Sequence, residues 1–176
     1  FIIFISTSIK VNATVDTAKS YVLMDMDSNR VLLSKNKDKR MLIASITKIM
    51  TAIISIESNR LFEVITVDEV IYQIEGSSLY LEVGNEITIL DLIYGLILRS
   101  GNDAAVLLAS NLSSSIDEFV KLMNDKAKEI GMNNTIFNNP SGLDIFDEGN
   151  LSTSYDMSLL MSYCLNNLLF KEISSI

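Results

Sequence analysis

The sequence predicts an α/β domain in which a short β-hairpin precedes a mostly helical body. Three observations carry that expectation. Residues 20–34 alternate in β-prone runs, apolar residues recur at spacings of three and four from Ile43 onward, and helix-start signals punctuate the rest without any linker. With 176 residues, 48% of them apolar, the chain is long enough for one domain with a real core.

Taken in order, "SYVLMDMDSNRVLLSKN" places Asp27, Ser28 and Asn29 between two short runs, so 20–26 and 30–34 read as the hairpin. Ile46, Ile49, Met50, Ile53 and Ile54 then mark a helix over 43–58. "GSSLYLEVGNEIT" reads as an irregular or extended connection. Thr88 with Asp91 forms a capping box ahead of "ILDLIYGLIL", and after a break at "RSGND" the helical pattern resumes in "AAVLLASNL". Ser100, Gly101 and Asn102 therefore fall in a turn between helices. Ser115 and Glu118 open a further helix that should stop at Gly131, "NNPSGLD" is a turn by composition, and Thr153 with Asp156 opens a last helix over about 154–168.

Composition excludes much chemistry. The chain has 14 basic against 22 acidic residues, a net charge of -8, and no basic stripe, so nucleic acid is not an expected partner. It contains no histidine, which removes Ser-His-Asp and Cys-His catalysis and every His-ligated metal site. The single cysteine, Cys164, sits in an apolar helical pattern and reads as core. Asp144, Asp147 and Glu148 match no Ca²⁺ loop and read as a solvated turn, so no metal or cofactor is expected. The opening "FIIFISTSIKVNA" reads as the latter part of an export signal, residues 1–13, cleaved after Ala13. That places the mature protein outside the cytoplasm, with residues 14–176 as its domain.

A candidate nucleophile and base stand in "ASITKIM", where Ser45 and Lys48 are three positions apart. With the observed numbers of Ser and Lys, about one such pair is expected by chance, so the bare match decides nothing. Ser34 and Lys37 form a second pair, in a charged loop where nothing would desolvate the lysine. Ser45 and Lys48 instead share a helix face with Cβ atoms ~5–6 Å apart, near a helix N-terminus that favours a developing oxyanion. Only about one lysine in 2,500 is neutral at pH 7 at the ordinary pKa of ~10.4, so Lys48 must be depressed by burial or a neighbouring cation to act as a base.

These residues resemble the penicillin-recognising serine peptidases, whose signatures are S-x-x-K, S-x-N and K-T-G. "SITK" is similar to the first and "SGN", residues 100–102, to the second. The strings "RMLIASITKIMTA", "LILRSGNDAAVLLA" and "NNPSGLDIFDEGNLSTSYDMSLLM" most resemble the D-alanyl-D-alanine carboxypeptidases that trim peptidoglycan. The resemblance implies the serine β-lactamase/DD-peptidase-like fold, with Ser45 attacking the bond between two terminal D-alanines and Lys48 taking its proton. It implies further that Ser100 relays a proton to the leaving amine, that Asn102 holds Lys48 and the substrate amide, and that the Ser45 N–H supplies half the oxyanion hole. Peptidoglycan pentapeptide stems are the implied substrates and β-lactam antibiotics the implied acylating inhibitors. Peripheral membrane contact through a C-terminal segment is a further implied feature.

Departures bear on this expectation. No Lys-Thr-Gly or Lys-Ser-Gly occurs, and only Lys121, Lys126, Lys128 and Lys171 follow Ser100. The resemblance therefore implies a truncated catalytic domain, a fragment lacking its C-terminal strands and with little activity alone. Ser141 stands where relatives often have His, and Leu42 where they often have Pro. Two rivals share the first motif: a serine β-lactamase, for which Glu148 is a poor fit and Gly101 replaces the usual Asp, and a non-catalytic wall-binding relative.

Overall fold

A computed structural model of the protein describes residues 17–72, 74–144 and 149–176. The expected export signal at 1–13, and Asp147 and Glu148, lie outside the described residues.

The chain begins with the antiparallel hairpin of β1 (Tyr21–Met24) and β2 (Val31–Lys35), closed over Asp25–Arg30, with an irregularity in register between Leu23 and Met24. Its turn is held by Asp25, whose carboxylate accepts the Ser28 N–H at 2.9 Å while Asp25 N donates to Arg30 O at 2.9 Å. One face packs on the last long helix, and the cross-strand pair Leu23 and Leu33 stays more than half exposed.

A two-residue strand, β3 (Met41–Leu42), leads into a 3-10 turn at Ala44–Thr47 and then helix α1 (Lys48–Glu57). The single helix expected over 43–58 is thus split. Ala44 adopts φ 44°, in the left-handed region, residues 44–47 form the 3-10 turn, and the α-helix starts at Lys48. Gly142, itself at φ 81°, lies so close to this turn that a Cβ there would overlap the Ala44 carbonyl. Two further strand pairs escape periodicity analysis because each strand is only two or three residues long. β3 pairs with β6 (Leu151–Ser152), and β4 (Val64–Thr66) pairs with β5 (Glu86–Thr88).

Helix starts follow the capping residues. Thr88 accepts from Asp91 N at 3.0 Å to open α2 (Ile89–Arg99), and Ser115 accepts from Glu118 N at 3.1 Å to open α4 (Ile116–Ile130), which ends at Gly131 with φ 91°. Thr153 accepts from Asp156 N at 3.0 Å to open α5 (Ser154–Leu165). That helix stops three residues short of the expected end, because Asn167 caps a separate helix, α6 (Leu168–Ile173), by accepting from Phe170 N at 3.1 Å.

The core lies among the helices. α3 (Asn102–Leu112) is buried along most of its length, its Ala104, Ala105 and Ala109 letting neighbours approach closely, and α1 packs against α2, α3, α4, α5 and α6. Phe119, Phe137, Phe170, Met50 and Met123 fill the space between them. Cys164 is fully buried there as expected, and burial pushes its thiol up to about 12, aided by the nearby negative charge of Glu57. The two most enclosed helices, α1 and α3, are the ones whose first residues are Lys48 and Asn102.

Candidate active site

Ser45 sits in the 3-10 turn and is exposed, one turn ahead of the α1 N-terminus. Ile43 N donates to Asn150 O at 3.2 Å and Ile46 N to Ile43 O at 3.1 Å, so the serine's turn hangs from the β3–β6 junction. Lys48, on the next turn, is only 3% exposed. Its Nζ donates to Asn102 Oδ1 at 2.7 Å and to the Ser141 carbonyl at 2.8 Å, and lies 3.2 Å from Ser45 Oγ.

All three partners are neutral, which matters for the proton. Burial lowers the Lys48 pKa from its ordinary value to about 8. No carboxylate is among its hydrogen-bond partners to restore it. At pH 7 about one Lys48 in ten is then neutral, against about one in 2,500 for an exposed lysine. Burial alone thus supplies most of the depression a base requires.

Asn102 is fixed from two sides. Its Oδ1 takes the lysine, while its Nδ2 donates to Glu75 O at 2.6 Å and its backbone N–H to Ser77 O at 2.7 Å. Gly101, not Asn102, occupies the cap position of α3, so the Asn102 side chain is free of that duty. The neighbouring Asp103 carboxylate, nearly fully buried, accepts from Leu79 N at 2.9 Å, Ser78 Oγ at 2.7 Å and Ala104 N at 2.9 Å. Those bonds strap residues 77–79 across the start of α3.

Ser100 ends α2 in the left-handed region with φ 57°, half-buried between the helices. It is close in sequence to Asn102, but its Oγ is not one of the partners of Lys48 Nζ. The fold therefore joins Ser45, Lys48 and Asn102 directly, and holds Ser100 at the adjacent helix junction.

Several contributors escaped sequence reasoning. The Ser141 acceptor is a backbone atom, to which residue identity gives no clue. Thr51 Oγ1 donates to Pro140 O at 2.6 Å, and Asn150 Nδ2 donates to Thr47 Oγ1 at 2.8 Å and Asn139 O at 2.9 Å. A signal for the first existed: Lys48, Thr51 and Ser55 form a polar stripe up an otherwise apolar helix, and all three are buried.

A buried lysine touches an exposed serine, with an amide from a second helix on the same amine, an arrangement whose chemistry suits serine acyl transfer with lysine in place of histidine. Comparison with known proteins gives the family. The sequence profile of peptidase S11, D-alanyl-D-alanine carboxypeptidase, matches residues 7–176, and the chain belongs to that family. It is 41% identical over 148 residues to the D-alanyl-D-alanine carboxypeptidase DacF of Bacillus subtilis, covering 81% of this chain and 38% of the relative. To DacC of Escherichia coli it is 35% identical over 173 residues, covering 90% of this chain and 43% of the relative. The chain thus spans about two fifths of the curated relatives it matches.

Solved structures agree on the fold. A crystal structure of a D-alanyl-D-alanine carboxypeptidase from Mycobacterium tuberculosis superposes with TM-score 0.89 at 28% identity, covering 98% of this chain and 65% of that one. Penicillin-binding protein D2 of Listeria monocytogenes, in its ampicillin-bound form, superposes with TM-score 0.75 at 30% identity, covering 85% and 62%. The DD-peptidase fold expected from the two motifs is the fold observed.

Proposed function

We propose that the full-length protein is a serine-type D-alanyl-D-alanine carboxypeptidase acting on peptidoglycan pentapeptide stems outside the cytoplasm. The observation that carries this reading is the contact of buried Lys48 Nζ with Ser45 Oγ at 3.2 Å, with the amine's remaining partners both neutral carbonyl oxygens.

Ser45 Oγ attacks the carbonyl carbon between the two terminal D-alanines while Lys48 takes the hydroxyl proton. The Ser45 N–H, in a turn shaped by the left-handed Ala44, supplies one donor to the oxyanion. As the C–N bond breaks, the proton passes by way of Ser100 to the amine of the departing D-alanine, leaving an ester on Ser45. Water, deprotonated by Lys48, releases the shortened peptide and restores the serine. Asn102 holds the lysine through Oδ1. Its Nδ2 carries two N–H groups, of which Glu75 O takes one, and the second is the donor for the substrate amide.

A β-lactam follows the same first step and leaves a slow ester, so these antibiotics serve as probes. Residues 14–176 form part of the catalytic domain and residues 1–13 an export signal. Among the described residues no helix is long and apolar enough to cross a membrane. The test is mass spectrometry of the full-length protein after exposure to a fluorescent penicillin. One adduct on Ser45, lost in Ser45→Ala, is expected; an adduct elsewhere, or one that survives Ser45→Ala, overturns the reading.

A further inference from the structure

A neutral lysine amine has two N–H groups and one lone pair, so the direction of the lone pair is decided by where the two hydrogens are bound. In this site the two strong acceptors are Asn102 Oδ1 at 2.7 Å and Ser141 O at 2.8 Å, which leaves the lone pair to face Ser45 Oγ. Asn102 is a residue of the recognised motif. The Ser141 carbonyl belongs to a turn, and something must hold that turn in place.

The turn is fastened on both sides of Ser141. Upstream, Thr51 Oγ1, fully buried and one helical turn beyond Lys48, donates to Pro140 O at 2.6 Å. Asn150, 1% exposed, uses its entire amide: Oδ1 accepts from Asn138 N at 2.6 Å and Asn139 N at 3.1 Å, while Nδ2 donates to Asn139 O and to Thr47 Oγ1. Asn139 closes the turn internally, its Oδ1 accepting from Gly142 N at 2.6 Å. Thr47 lies between Ser45 and Lys48 in the nucleophile's own turn. Asn150 therefore ties the segment carrying the lysine's acceptor to the segment carrying the serine, and Thr51 ties it to the helix carrying the lysine.

We infer that Thr51 and Asn150 are positioning residues that hold the Ser141 carbonyl against Lys48 and so aim the amine's lone pair at Ser45. Neither touches the reacting atoms. The inference rests on Ser45 acting as nucleophile, and its loss would show in the acylation step, with the encounter with ligand unchanged. A loose turn lets the amine rotate and present an N–H to Ser45 Oγ in place of its lone pair, which forbids proton transfer in that orientation.

The experiment is stopped-flow acylation of the full-length protein by a fluorescent penicillin, resolving the acylation rate constant from the dissociation constant of the preceding complex. Thr51→Val, which keeps shape and removes the hydroxyl, and Asn150→Ala are expected to slow acylation about ten- to a hundredfold, with that dissociation constant unchanged. Thr51→Ser, which restores the hydroxyl, is expected to recover most of the rate. Acylation by Thr51→Val and Asn150→Ala at the wild-type rate overturns the inference while leaving the proposed function standing. So does a Thr51→Ser protein as slow as Thr51→Val, since the bond from the restored hydroxyl to Pro140 O would then not be what sets the rate. A wild type that is never labelled overturns the proposed function and this inference with it.

Discussion

The helical body and the N-terminal hairpin use similar residues to opposite ends. In the body, Leu92, Leu96, Leu107 and Leu108 are buried almost without remainder, and the same enclosure lowers the Lys48 amine to about 8. In the hairpin, Leu23 and Leu33 pair across the strands with 55% and 56% of their surfaces exposed. Leu32, beside them, is 52% exposed. Burial both fills the core and lowers the Lys48 amine, so the region that supplies the core also holds the proposed site, and the hairpin contributes less to each.

The largest expected difference comes from the core. Phe119→Ala should cost about 3–5 kcal/mol, because it empties a fully enclosed site between helices. Urea unfolding monitored by circular dichroism measures it, and a loss under 1 kcal/mol would mean that the body is not the stable half. Next comes the lysine. In the proposed reaction the neutral amine is the active form, and its share rises as pH passes upward through about 8, so penicillin acylation should increase about tenfold from pH 7 to pH 9, roughly 1.4 kcal/mol, and then level off. A rate still climbing tenfold per pH unit beyond pH 9 would place the base near an ordinary lysine value and remove burial as the cause. Smallest is Leu33→Ser on the exposed hairpin face, expected to change stability of the 176-residue chain by about 0.5 kcal/mol or less. A loss above 2 kcal/mol in the same unfolding assay would erase the contrast between the regions.

What the sequence disclosed and what it hid divide along a physical line. The hairpin, the caps at Thr88, Ser115 and Thr153 and the stop at Gly131 were legible because each depends on residues within a few positions of one another. Ser45 and Lys48 were legible for the same reason, and Asn102 through its motif. The pairing of β3 with β6 joins residues more than a hundred positions apart through strands too short for a pattern. Ala44 carries no mark of its left-handed backbone, nor does the sequence show that Gly142 packs against it from across the chain. The Ser141 carbonyl is the clearest case, since any residue at that position would offer the same oxygen.

One feature of the body also equips it for measurement. Cys164 is the chain's sole cysteine, enclosed on α5, where burial pushes its thiol up to about 12. A maleimide added at neutral pH therefore meets a buried thiol with little thiolate character until α5 lifts from its neighbours. The rate at which the dye is captured reports how often that helix opens, so the chain carries an intrinsic clock for its own transient unfolding.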